Sequence, residues 1–328
     1  MTALAEHSYF WVGVERVERV EQPDGTTVTA GEHMYVEYFV PEGARKPHPV
    51  VMVHGGAGQG MAFLGPGSGE PGWAHHLLDA GYSVYLIDRP GLGRNPPLPT
   101  PDGQPAPPVP YQAVVNEFRF GAQTGRWRGT GDIGDPRVDQ FMAQQRPSRF
   151  DVPQPFAIYK RRGGELLDRI GPAVVLMHSA GGPFGWLMAD ARPELVKAIV
   201  SAEGLPPAMA AEHLTFDPPG ELALRPVPDD RDVEWGPLGR VPRVVQADPP
   251  RRLVNLSQIP IACLHSDDPR FSEINRAAAL FLRQAGCAVD DLWLSEHGIS
   301  GNGHFMTLEE NNREVLGVVL DWLEANLS

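Results

Sequence analysis

The chain begins with alternation and then abandons it. Residues 9–20 and 27–40 alternate apolar and polar positions, which predicts two β-strands joined by a turn at Gln22-Pro23-Asp24-Gly25. An antiparallel pair at the edge of a larger sheet fits that pattern. From residue 49 the strands are instead short and mostly apolar, at 49–53, 83–87, 173–177, 198–202, 260–264 and 289–294, and segments of helical length separate them. A strand covered on both faces loses its alternation, and regular exchange with helices marks parallel βαβ units. The fold class is therefore α/β, with a mostly parallel sheet of about eight strands and helices on both faces. Residues 272–285 predict one such helix, apolar at Ile274, Ala278, Phe281 and Leu282 and closed by Gly286. Thr307-Leu308-Glu309-Glu310 has the form of a capping box, opening a last helix with Leu316, Val319, Leu320 and Leu323 on its sheet-facing stripe.

Two stretches break the rhythm. Residues 96–110 hold eight prolines, an extended polyproline-like segment, and Phe118, Phe120, Trp127, Phe141, Phe150, Phe156 and Tyr159 follow it among polar residues. Residues 206–257 are again rich in Pro, Asp and Arg. Long irregular insertions in a compact α/β domain are usually binding loops or lids. The expectation is one domain over 1–328 with 96–165 and 206–257 as cap or lid insertions. Composition narrows the class further. The 28 Lys+Arg against 41 Asp+Glu leave a net charge of −13, which disfavours nucleic acid and anionic membranes as partners. No apolar run is long enough to span a bilayer, and the first residues lack a signal-peptide pattern. Cys263 and Cys287 fit neither a disulfide framework nor a zinc site, and two core thiols in a reducing cytoplasm are expected.

The sharpest chemical signal runs from the apolar strand 173–177 through His178-Ser179-Ala180-Gly181-Gly182 into a helix starting at Pro183. A serine on a tight strand-to-helix turn projects its hydroxyl clear of the sheet, and the helix N-terminus behind it offers free N–H groups to a developing oxyanion. The plain alternative is a helix-capping serine. Met177 stands where that turn usually has a small residue, so either the turn opens or Met177 points into a gap. His54-Gly55-Gly56-Ala57-Gly58 follows strand 49–53, and a glycine loop there supplies a second N–H. Gly56 and Ala180 are the expected oxyanion donors, with Ala57 the alternative to Gly56. Of eleven histidines, His304 in Gly301-Asn302-Gly303-His304 is the best-placed base, ahead of His297 on the same loop; His54 and His178 read as structural. The orienting acid is Glu203, directly after strand 198–202, or else Asp267 or Asp268 after strand 260–264; either Asp could instead cap the following helix.

The His-Gly-Gly loop, the Asp88-Arg89-Pro90-Gly91-Leu92-Gly93 turn, the His-Ser-Ala-Gly-Gly elbow and the late Gly-Asn-Gly-His occur in the order of the α/β-hydrolase superfamily, which the chain resembles from about residue 49 to its end. More narrowly it looks like a branch of bacterial serine carboxylesterases ending in Gly-Asn-Gly-His followed by Leu-Glu-x-Asn. That resemblance implies Ser179 as nucleophile, His304 as base, Glu203 as acid, and Gly56 and Ala180 as the oxyanion hole. It also implies a homodimer, a habit of that branch. The chemistry needs no cofactor and no metal. The expected activity is hydrolysis of a small-molecule ester carrying a bulky or aromatic group. A lactonase or amidase on the same residues and, from a different class, a catalytically silent ligand-binding homologue are the competing readings.

Overall fold

The computed structural model describes residues 2–19, 26–43, 45–100, 102–120, 125–149, 153–228 and 241–327. Eight strands of these residues form the central sheet: β1 (Leu4–Val12), β2 (Met34–Pro41), β3 (Val50–Val53), β4 (Val84–Ile87), β5 (Ala173–His178), β6 (Val196–Ala202), β7 (Ile261–His265) and β8 (Val289–Trp293). They lie side by side as β1-β2-β4-β3-β5-β6-β7-β8. Strand β2 runs antiparallel to both neighbours, and every pair from β4 to β8 is parallel. The helices are α1 (Trp73–Asp79), α2 (Tyr111–Phe118), α3 (Pro136–Ala143), α4 (Phe156–Ile170), α5 (Gly182–Ala191), α6 (Pro269–Gln284) and α7 (Asn312–Asn326).

The apolar runs have the two-sided burial that their lack of alternation requires. Val51, Val53, Val175 and Met177 join the core shared with α4, α5 and α6, whereas Val50, Met52, Val174 and Leu176 join the core shared with α1 and α7. All eight side chains are fully buried. Burying each is worth roughly 1.5–3 kcal/mol, so β3 and β5 are pinned between the two helix layers.

Three expectations need correction. The first two strands are each broken at a glycine. β1 ends before Gly13 (φ 68), and Arg16–Arg19 pairs with Thr26–Thr29 as a separate ribbon that ends before Gly31 (φ 83). The last helix starts at Asn312 and not at Thr307, because the Glu309 carboxylate is already engaged: it accepts from the Gly303 N–H at 2.9 Å and from Asn302 Nδ2 at 2.6 Å. Helix α6 starts earlier than the periodicity suggested, at Pro269, with the Asp268 side chain accepting from the Arg270 N–H at 3.0 Å. The turn at 22–25, Phe150 and residues 229–240 lie outside the described residues.

The described residues of 96–110 contain no helix or strand. Beyond them, Val114, Phe120, Trp127 and Phe141 pack with Phe305 and Leu308, so α2 and α3 lean on the loop that follows β8. Helix α4, which holds residues 156–165, packs beside α5. Among the described residues no helix is long and apolar enough to cross a membrane. Both cysteines are free and buried, and burial pushes the thiols up, Cys287 to about 12.

Candidate active site

Parallel strands deliver their following loops to one edge of the sheet. Ser179 follows β5, Glu203 follows β6, Ser266 and Asp268 follow β7, and His304 comes from the loop beyond β8. Ser179 sits between β5 and α5 at φ 54, and Glu203 at φ 47; with Arg119 they are the only non-glycine residues in the left-handed region among those described. A side chain held there costs of order 1–3 kcal/mol and persists only where the surroundings impose it. Two of the three such residues face each other across one histidine.

The three groups form a continuous hydrogen-bonded line. His304 Nε2 lies 2.9 Å from Ser179 Oγ, and His304 Nδ1 lies 2.7 Å from Glu203 Oε2. The other Glu203 oxygen accepts from the Ser266 N–H at 2.9 Å and from Ser266 Oγ at 2.5 Å. Burial is the largest influence on both titrating groups, and it works against charge on each. It pushes His304 down and Glu203 up, the latter against the pull of the Ser266 donors. Burial thus keeps the imidazole neutral at neutral pH, and with Nδ1–H donating to the Glu203 carboxylate, Nε2 is free to accept from Ser179 Oγ.

Rings hold that imidazole in place. Phe271 stacks on His304 at 3.6 Å between centroids and 15° between planes, Phe118 stacks at 5.6 Å, and His178 packs at 4.6 Å. His178 Nε2–H donates to the His304 carbonyl at 2.8 Å, and burial keeps His178 near 3, hence neutral.

The loop after β3 closes the other side of the serine. A Cβ on Gly55 would lie 2.8 Å from Ser179 Cβ, so only glycine permits this approach. The buried Arg89 then fastens the backbone: Nη2 donates to Gly56 O at 2.6 Å and Gly55 O at 3.2 Å, and Nη1 donates to Ala180 O at 2.9 Å. A trans peptide is planar, so the N–H opposite a tethered carbonyl must point away from the tether. Holding Gly55 O therefore directs the Gly56 N–H away from Arg89. The Leu205 N–H holds Ser179 O at 2.8 Å and directs the Ala180 N–H in the same manner. Met177 resolves into the gap alternative, since a Cβ on Gly185 of α5 would lie 2.3 Å from Met177 Sδ. The helix has left room for the side chain.

The competing residues have other settings, although the charge of the buried Asp268 acts on both His304 and Glu203. His297 is exposed in the turn after β8. Asp267 is exposed and accepts from the Gly301 N–H at 2.6 Å, and Asp268 caps α6. Ala57 borders the same loop, its carbonyl accepting from the Arg146 N–H at 2.8 Å. Sequence reasoning does not single out Arg89, Ser266 or Phe271; Ser266 stands directly before Asp267 and Asp268, but nothing in its neighbours marks it as a partner of Glu203.

Residues 48–232, more than half the chain, match the family described as alpha/beta hydrolase fold. The chain belongs to the alpha/beta hydrolase fold family. Within it, the chain is 34% identical over 314 residues to a protein of a fungal species named "Probable secreted lipase phiG", covering 89% of this chain and 85% of that one. A solved structure described as a novel bacterial esterase superposes with a TM-score of 0.71 at 23% identity, covering 100% of this chain and 98% of the other, a likeness of fold. This member of the alpha/beta hydrolase fold family is a hydrolase.

Proposed function

We propose that the protein is a serine carboxylesterase acting through Ser179, His304 and Glu203. The observation that carries this reading is the unbroken line from Ser179 Oγ to His304 to Glu203, anchored at its far end by Ser266. As His304 takes the hydroxyl proton, Ser179 Oγ bonds to the acyl carbon, and the carbonyl oxygen becomes an oxyanion facing the Gly56 and Ala180 N–H groups. The alkoxy C–O bond then breaks, and the proton on His304 passes to the departing alcohol. Water adds to the acyl-enzyme with His304 accepting its proton, and the carboxylic acid leaves as Ser179 recovers that proton. Glu203 keeps the ring oriented and offsets the imidazolium charge. The relative named a lipase is consistent with an ester as substrate. The expected cap at 96–165 and 206–257 is supported in its described residues by α2 and α3 and by Met209, Val241 and Pro242, which border the two cavities beside Ser179, whereas 156–165 belong to α4 and pack beside α5.

A fluorophosphonate should label Ser179 stoichiometrically, read by peptide mass spectrometry, and Ser179→Ala should lose both the label and at least about 10⁴-fold in ester hydrolysis. A wild-type protein that stays unlabelled and releases no acid from any ester would favour a silent ligand-binding homologue.

A further inference from the structure

Two unequal cavities meet at the elbow, and Gly56 lines both. One is a small apolar pocket of about 60 Å³ reached from Ser179 and walled by Val109, Val114, Phe118, Phe141, Phe305 and Leu308. The other is a cleft of about 360 Å³, entered past Ala180 and bordered by Arg89, Tyr159, Pro183, Leu205 and Met209. An acyl carbon bonded to Ser179, with its oxygen between Gly56 and Ala180, has two substituents to house. They cannot share a compartment, so one enters the pocket and the other the cleft.

Proton delivery decides which. The leaving oxygen must come within hydrogen-bond reach of His304 Nε2. The rings packed on His304 are Phe118, His178, Phe271 and Phe305. Three of those four, Phe118, His178 and Phe305, line the small pocket, and none lines the cleft. The alcohol therefore departs on the side of the small pocket. At roughly 10–15 Å³ for each water-sized group, 60 Å³ holds on the order of four heavy atoms. We infer that the substrates are esters of short, apolar alcohols with bulky carboxylic acids, the acyl group lying in the cleft and an alcohol of no more than about four carbons in the aromatic pocket. This deepens the carboxylesterase reading and rests on it. It also disfavours lactones, whose tethered halves cannot separate into two compartments.

Two isomeric esters test the assignment directly: methyl 2-naphthylacetate, with a large acid and a small alcohol, and 2-naphthylmethyl acetate, with the reverse. The expected result is at least tenfold higher kcat/KM for the methyl ester, and a further tenfold fall between the ethyl and hexyl esters of 2-naphthylacetic acid. Phe141→Ala, which removes a wall of the pocket, should raise the hexyl-to-ethyl ratio at least tenfold. The inverse preference, or a flat response to alcohol length, overturns the assignment while esterase activity itself stands. If Ser179 takes the phosphonate but no ester of either series turns over, the substrate class is wrong although the serine is reactive. With neither label nor turnover, the carboxylesterase reading falls as well.

Discussion

Glu203 and His304 are both buried, and they share their protons across 2.7 Å. Replacing Glu203 by Gln keeps the shape and removes the anion that holds a proton on the ring. Two consequences follow. The imidazolium formed during acylation loses its counterion, so kcat should fall by about 10²–10⁴. The ring also loses the charge that favoured its protonated form, so the rising limb of kcat/KM against pH should move to lower pH, since His304 is already pushed down by burial. A pH-rate comparison of wild type and Glu203→Gln reads both, and an unchanged limb with an unchanged rate would remove Glu203 from the mechanism. At this scale the sequence was readable where a residue's setting carries its role. Ser179, Glu203 and His304 each stand in a Gly-containing loop after a strand, and the roles proposed for them are read from those settings. Arg89, Ser266 and Phe271 act by reaching across to another loop, and no local pattern encodes that direction.

Elements were legible for the same reason that they are stable. Strands β3, β5 and β7 stand out as apolar runs because both of their faces are covered, whereas the edge strand β8 carries Asp290 and Asp291 and is only partly buried. The last helix was misplaced because Thr307-Leu308-Glu309-Glu310 fits a capping box, whereas the Glu309 carboxylate serves Gly303 and Asn302, in the stretch just before His304. The seating of α5 on β5 yields a test. Gly185→Ala puts a methyl group into the space of Met177 Sδ and should cost about 1–3 kcal/mol, while Met177→Gly leaves a cavity costing about 2–5 kcal/mol. Because each change relieves the other, the double variant should be more stable than the sum by more than about 0.5 kcal/mol in denaturant titrations. Strict additivity would show that the two do not interlock.

Across the whole molecule, stability should be graded from the sheet outward. Strands β3, β4, β5 and β6 lie between both helix layers, whereas the ribbon Arg16–Arg19 with Thr26–Thr29 stands apart from the central sheet and is largely exposed. Amide exchange should be slowest in the four strands and close to the unprotected rate in the ribbon. Comparable protection in the two would mean that the ribbon is covered in solution, as a homodimer contact could do. The Arg89 guanidinium carries a different kind of consequence. It ties three carbonyls from two separate loops, and with Leu205 on Ser179 O the fold itself sets the orientation of the Gly56 and Ala180 N–H groups proposed to receive the oxyanion. Capture of a tetrahedral mimic should then proceed in a single exponential set by encounter, with no lag while loops find their places.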